Sequence, residues 1–196
     1  MSELSLDALN TIFLNARSRN GWSAKPVPES LLREIYEIAK MGPTTLNTQP
    51  QRIVFVTTPE GKKRLDPAMA EGNKTKTMTA PAVAIFAFDL HFYDQLPKVF
   101  PHNPKAKDGF IGKDAANHEV AFRNASLQAA YFMIAARAKG LDCGPMSGFD
   151  QAKVNAEFFP DGRFKSNFVC ALGYGTDERL FGRLPRLSFE DACQVV

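Results

Sequence analysis

The chain alternates between segments with apolar residues at helical spacing and short runs of consecutive apolar residues. A spacing of three or four residues is typical of amphipathic helices, and it predicts that Leu31, Ile35 and Ile38 share a buried helix face. The helices predicted in this way cover residues 6–15, 28–42, 60–68, 71–78, 118–140 and 150–158. The apolar runs predict strands at residues 53–57, 82–88 and 168–172. Strands separated by helices indicate a three-layer α/β or α+β protein.

Two of these segments are unusually apolar. Residues 82–88 contain no polar side chain, which predicts a central strand buried on both faces. The long helix is apolar or small on nearly every side over residues 125–136, apart from Gln128, which predicts burial in a core or between subunits. Residues 89–113 show no regular pattern, and a connection of this length is typical of a lid, a binding loop or a subunit contact. Residues 183–191 are predicted to form an extended arm.

Composition and charge restrict the number of domains and the kinds of partner that we expect. With 196 residues, 44% apolar and 23% charged, the chain is predicted to form one domain over residues 1–196. The formal net charge of +3 and the scattered basic residues argue against a nucleic-acid partner. Three cysteines without C-x-x-C spacing argue against a disulfide framework and a zinc site. Because no signal peptide or membrane span is recognisable, we expect a cytoplasmic protein without membrane contact.

The standard catalytic motifs are missing from the sequence. His91, His102 and His118 lack the spacing of zinc ligands, and no metal site is expected. There is no G-x-S-x-G elbow, phosphate-binding P-loop or G-x-G-x-x-G fingerprint. Four polar clusters remain, at residues 15–22, 41–50, 72–76 and 183–186. Because arginine matches phosphate oxygens bidentately, the clusters together favour a large ligand with a phosphate at one end and hydrogen-bonding edges at the other.

The order and the residue identities of these clusters resemble the motifs of the nitroreductase family of FMN-dependent oxidoreductases. Arg17-Ser18-Arg19 resembles the family's N-terminal phosphate motif, and residues 43–50 (PTTLNTQP) resemble its P-[ST]-x-x-N-x-Q-P loop. Residues 140–150 resemble the segment that lies over the flavin ring, and residues 183–188 resemble a C-terminal arm with a further phosphate-binding arginine. Within the family, the chain is most similar to the malonic semialdehyde reductases of pyrimidine utilisation. The short sequence motifs that resemble this subgroup are at residues 20–22, 79–81, 121–124, 145–150 and 183–190.

The resemblance implies a nitroreductase-like α+β fold, in which helices flank a central, mostly antiparallel sheet in three layers. It also implies a homodimer with FMN at the subunit interface and NADH or NADPH as electron donor. The helix at 118–140 would then form the dimer core. The cofactor-binding residues implied by the matched motifs are Arg17, Ser18, Arg19, Asn47, Gln49, Asn73, Lys76, Pro145, Met146, Ser147, Gly148, Arg183 and Arg186.

By the same resemblance, the arginines and Ser18 hold the phosphate, and Asn47 and Gln49 lie along the ring and ribityl chain. Asn73 and Lys76 face the ring edge that becomes anionic on reduction, and Gly148 approaches the flavin N5 or O4. The chemistry occurs at flavin N5 by ping-pong hydride transfer, so no catalytic side chain is required.

The substrate implied by the subgroup is malonic semialdehyde, which would be reduced to 3-hydroxypropionate. Its carboxylate requires a cation, for which Arg123, Lys105 and Lys107 are candidates. Two alternatives remain open from the sequence. One is a broad-specificity NAD(P)H nitroreductase or quinone reductase, because an open stacking site discriminates poorly among small aldehyde, quinone and nitro substrates. The other is a non-catalytic dimer that binds flavin or another phosphorylated ligand.

Overall fold

The computed structural model describes residues 3–196 and contains one four-stranded sheet with helices on both faces. Residues 1 and 2, which the predicted domain includes, lie outside the described residues. The strands are β1 (Gly21–Trp22), β2 (Gln51–Val56), β3 (Ala82–Asp89), β4 (Asp142–Met146), β5 (Phe164–Gly173) and β6 (Gly175–Thr176). The helices are α1 (Leu6–Leu9), α2 (Glu29–Ala39), α3 (Pro59–Leu65), α4 (Glu71–Thr79), α5 (Leu96–Val99), α6 (Asp114–Ala138), α7 (Gln151–Phe158) and α8 (Phe189–Ala192).

The sheet has the strand order β2-β3-β5-β4, and every neighbouring pair is antiparallel. The predicted central strand is confirmed, because all eight residues of β3 are buried. Alternate side chains of a strand point to opposite faces. Ala84 and Phe86 accordingly pack with α2 and α6 on one face, whereas Val83 and Ile85 pack with α3 and α7 on the other. This arrangement confirms the three-layer α+β fold.

The long helix α6 is buried on only one side. Phe132 is fully buried, and its ring packs against those of Phe86 and Phe55 at centroid distances of 5.4 and 5.8 Å. The opposite side of α6 is open, with Tyr131 and Leu127 exposed by 39% and 42%. Burial of α6 on every side within a single chain is therefore excluded, and its burial between subunits stays a prediction.

Several details of the helices, strands and loops also differ from those predicted. Leu32, rather than Ile38, is buried on α2, and Ile38 is 49% exposed. Strand β4 was missed because its Gly144 and Pro145 are depleted in strands. Residues 89–113 contain α5 and two short 3₁₀ turns, and the C-terminal arm ends in the short helix α8.

All three cysteines are free. Within residues 3–196, no helix is both long and apolar enough to cross a bilayer, and no three metal-ligating side chains converge on one point.

Candidate cofactor site

The N-terminal arginine motif lies alongside β4. Ser18 forms a parallel bridge to Cys143, and the backbone N–H of Arg19 donates to the Cys143 carbonyl at 3.1 Å. The Arg19 guanidinium pairs with Asp177 at 2.7 Å and with Asp142 at 3.5 Å. Its Nε is buried and lacks a hydrogen-bond partner in the part of the chain that the structure describes. Arg19 is thus fixed in place with two carboxylates beside it, and its Nε lies 3.5 Å from Asp142 without making a hydrogen bond.

Two more arginines join the N-terminal segment to the C-terminal arm. Arg17 donates from Nη2 to the Phe181 carbonyl at 2.5 Å. Arg183 donates from Nη2 to the carbonyls of Leu14 and Ala16 at 2.5 and 3.2 Å. Both bonds use carbonyl acceptors, so they leave each positive charge uncompensated. The structure therefore gathers Arg17, Arg19 and Arg183 where the two ends of the chain meet.

Arg186 lies apart from this group. Its Nη1 donates to the carbonyls of Leu184 and Pro185, which belong to its own exposed arm. Of the two arm arginines predicted to bind phosphate, Arg183 is the one that the structure places beside Arg17.

A second part of the site is formed by α4 and the residues that follow β4. Asn73 donates from Nδ2 to the Gly148 carbonyl at 2.9 Å. A Cβ at position 148 would come within 2.5 Å of that same Nδ2, so any larger residue there would require the Asn73 side chain to shift. The Trp22 indole donates to the Lys76 carbonyl at 2.9 Å. Because Gly144 lies against both the Trp22 ring and the Arg19 backbone, the two parts of the site adjoin.

Lys76 carries a cation without a counterion. It is half-buried, and burial lowers the pKa of its ammonium from the ordinary value of 10.5. Among residues 3–196 Lys76 makes no salt bridge, whereas Lys74 on the same helix pairs with Glu71 at 3.5 Å and with Asp66 at 4.0 Å. A desolvated, unpaired cation favours an anionic or electron-rich ligand at this position.

The remaining predicted residues of this region border an open cleft of about 560 Å³. Met146 is held by Thr77, whose hydroxyl donates to the Met146 sulfur at 3.2 Å. Asn167 supplies a polar group to the cleft and is fixed by a 2.8 Å bond to Ser126. The cleft is lined in part by Phe122, Pro145, Met146, Ser147, Asn167 and Phe168. Its walls are mainly aromatic and thioether groups, which suit a flat ring.

Asn47 and Gln49 lie in a different region of the chain. The Asn47 amide donates to the Val99 carbonyl at 2.7 Å and accepts from Gln49 Nε2 at 3.0 Å. The loop that carries them leads into β2, at the opposite edge of the sheet from β4. From the strand register, the start of β2 lies about 20 Å from the end of β4. A single chain does not bring these two amides to Lys76 and the three arginines.

Two further residues shape this loop and were missed from the sequence. Asn124 Oδ1 accepts a bond from the Thr45 N–H at 2.8 Å, and Gln128 Oε1 accepts one from the Gln51 N–H at 3.0 Å. Both side chains are buried and lie four residues apart on the same face of α6. Buried amides at helical spacing within an apolar helix are the signal that could have identified them, because such groups require hydrogen-bond partners.

These observations fit a phosphorylated aromatic cofactor. The guanidinium groups of Arg17 and Arg183, which have no acidic partner among residues 3–196, suit a phosphate. The half-buried Lys76, which has no acidic partner among residues 3–196, suits a ring edge that carries negative charge.

Comparison with known proteins agrees with this description. The sequence profile of the nitroreductase family matches residues 15–175. A protein of Cupriavidus pinatubonensis, provisionally named NADH dehydrogenase/NAD(P)H nitroreductase, is 52% identical over 96% of this chain and 97% of its own. A protein of Stenotrophomonas maltophilia with the same provisional name is 54% identical over 98% and 97%. The crystal structure of a provisionally named nitroreductase from Exiguobacterium sibiricum, in complex with FMN, superposes over all of both chains with a TM-score of 0.85 and 20% identity.

Proposed function

The chain belongs to the nitroreductase family, and from this premise we propose that it is an FMN-dependent NAD(P)H oxidoreductase that works as a homodimer. The observation that carries the proposal is that the half-buried Lys76, Arg17 and Arg183 have no acidic partner among residues 3–196. When bound, FMN accepts a hydride from NADH or NADPH and passes it to the substrate. The chain's own residues bind the cofactor, orient it and adjust its electrostatic surroundings.

In this proposal, Arg17, Arg19 and Arg183 hold the phosphate, and Ser18 adds a hydroxyl. Lys76 and Asn73 lie at the ring edge that gains charge on reduction. Pro145, Met146, Ser147 and Gly148 form the surface next to the ring. Arg186 lies on the exposed arm and is expected to contribute less than Arg183.

The homodimer explains why the proposed ligands lie on two regions of the chain. Asn47 and Gln49 are too far from Lys76 to share one cofactor within a chain, but a second copy could supply them. The open face of α6, with Leu127 and Tyr131, provides apolar surface for such a contact. The C-terminal arm is also exposed, with Leu184 and Leu187 at 73% and 75%, as expected for a segment that a second copy covers.

For the substrate, we propose flat nitroaromatic or quinone acceptors. The cleft beside Met146 is open, and most of its lining is aromatic or apolar, so it offers stacking surface and few groups that would select a shape. The names of the two bacterial relatives support this substrate class.

Malonic semialdehyde is a second candidate substrate, supported by the short sequence motifs that resemble the malonic semialdehyde reductases. The cation closest in sequence to the cleft is Arg123, which follows Phe122, is exposed and forms a salt bridge with Glu119. If the semialdehyde is the substrate, replacing Arg123, Lys105 or Lys107 by methionine should raise its KM in at least one case. Comparing kcat/KM for the semialdehyde and for a nitroaromatic separates the two candidates.

The test of the cofactor proposal is direct. The purified protein should be yellow, lose that absorbance on anaerobic addition of NADH or NADPH, and have the mass of a dimer by light scattering. Arg17→Met and Arg183→Met should each weaken FMN binding by about 10- to 150-fold, because a charged hydrogen bond contributes about 1.5–3 kcal/mol. Arg186→Met serves as the matched control on the arm. A colourless monomer that takes up no FMN would refute the proposal, leaving a non-catalytic binding role.

A further inference from the structure

A buried carboxylate anchors the end of β3. Asp89 is fully buried and accepts four hydrogen bonds. One comes from Arg52 Nη2 at 2.7 Å, two come from Arg163 at 2.8 and 3.0 Å, and one comes from the His91 N–H at 2.9 Å. With every partner in place, the charge is compensated and the geometry around it is fixed.

The two arginines that share Asp89 differ in what else they hold. Arg52 turns its Nη1 toward the main chain and donates to the carbonyls of Gln49 and Gln51 at 3.0 and 2.8 Å. Arg163 instead donates to the His91 carbonyl at 3.2 Å and pairs with Asp94 at 3.3 Å. Of the two arginines, only Arg52 contacts the loop that carries Asn47 and Gln49, and the Asp89 N–H separately donates to the Pro50 carbonyl at 2.9 Å.

This loop has a backbone that needs such support. Leu46, Asn47 and Gln49 have φ values of 47°, 52° and 43°, in the left-handed region that residues with a Cβ rarely adopt. Strained conformations of this kind persist where surrounding contacts determine them. Asn124 and Gln128 hold the two flanks of the loop, and Arg52 holds the carbonyl of Gln49 itself.

We propose that Arg52 is a positioning residue, which uses Asp89 as a fixed point to hold the Gln49 backbone and thereby aim the Asn47 and Gln49 amides at the cofactor. The inference rests on the proposed function for the cofactor, but the contact between Arg52 and the loop does not depend on it. A guanidinium is suited to this role because its planar fork bonds a carboxylate and carbonyl groups at once.

The test compares Arg52→Met with Arg163→Met. Each variant leaves Asp89 with one arginine, so both should lower the thermal midpoint. Only Arg52→Met removes the bond to the Gln49 carbonyl. We expect hydrogen exchange of the amides at residues 47–49 and 51 in the cofactor-free protein to become about tenfold faster in Arg52→Met and to stay as in the wild type in Arg163→Met. FMN affinity should fall by a similar factor in Arg52→Met alone.

Arg52→Lys provides a further control. Its ammonium can pair with Asp89 but is too compact to bond Asp89 and both carbonyls together, so thermal stability should recover while loop exchange stays fast. Equal exchange and equal FMN affinity in Arg52→Met and Arg163→Met would overturn the inference. A wild-type protein that takes up no FMN would refute the proposed function. In that case, the difference in hydrogen-exchange rates between Arg52→Met and Arg163→Met would still decide whether Arg52 fixes the loop.

Discussion

Replacing Lys76 by methionine should have opposite effects on the stability of the protein and on its cofactor. The ammonium is half-buried and unpaired among the described residues, so the folded apoprotein bears a desolvation cost that no partner offsets. Methionine keeps the length of the side chain and removes the charge. We therefore expect the apo variant to be as stable as the wild type or more stable, by up to about 1 kcal/mol.

The effect on the bound cofactor follows from Coulomb's law. Two unit charges about 4 Å apart interact by about 4 kcal/mol at an effective dielectric constant of about 20. Solvent screening at a half-exposed site reduces this to about 1–2 kcal/mol. Since about 30 mV corresponds to about 1.4 kcal/mol for a two-electron couple, the midpoint potential of the cofactor should fall by about 20–40 mV.

The stability difference should also depend on pH. Burial lowers the pKa of Lys76 in the folded state below the 10.5 of the unfolded chain, so the unfolded state binds more protons between these two values. The contribution of Lys76 to the free energy of unfolding of the wild type therefore rises with pH across that window. The advantage of the variant should be fully present below the folded-state pKa of Lys76 and should close as the pH approaches 10.5.

Urea unfolding of the apoproteins at fixed protein concentration measures the stability, and anaerobic titration against a reference dye measures the potential. Lys74→Met on the same helix is the matched control, because Lys74 already has acidic partners. Lys74→Met should leave the midpoint potential of the cofactor unchanged. An unchanged potential in Lys76→Met, or a clear loss of apo stability, would refute the reasoning.

Three further predictions concern the scaffold. Phe132→Ala removes a fully buried ring that packs against two others, and should lower the free energy of unfolding by about 3–5 kcal/mol in urea titration. Lys62→Met removes a partly buried ammonium that donates to two carbonyls at the end of α4, and should cost about 1–2 kcal/mol in the same assay; a gain would contradict this. Leu127→Glu places a charge on the open face of α6 and should halve the mass measured by light scattering; an unchanged dimer would place the interface elsewhere.

The sequence predicted the layers of the fold well because local patterns specify them. The uninterrupted apolar run at 82–88 identified the central strand, since a short run with β-branched and aromatic residues is typical of a strand buried on both faces. Strand β4 escaped prediction because Gly144 and Pro145 disfavour strands in isolation, and only pairing with β5 overrides that tendency. The buried side of α2 was misassigned at Ile38 because periodicity does not distinguish a core contact from an exposed apolar position.

The candidate site was predictable as a set of residues but not as an arrangement. The motifs named the arginines, Lys76 and the two loop amides. Nothing in the sequence indicated that Arg183 and Arg186, three positions apart, have different surroundings, or that Asn47 lies across the sheet from Lys76. Such distinctions depend on contacts between segments more than 100 residues apart in sequence, such as the bond of Arg183 to Leu14.

The position of β3 between β2 and β5 also determines how the chain is exposed during synthesis. Its seven-residue neutral, apolar stretch can pair with β2 at once, but its second neighbour, β5, begins only at residue 164. At ribosomal rates, that partner is made about 4–15 s later. During this interval a β-prone segment without charge or proline presents an unpaired edge, which is the hallmark of an aggregation-prone nascent chain. Newly made protein should therefore depend on chaperones or reduced temperature for a good yield.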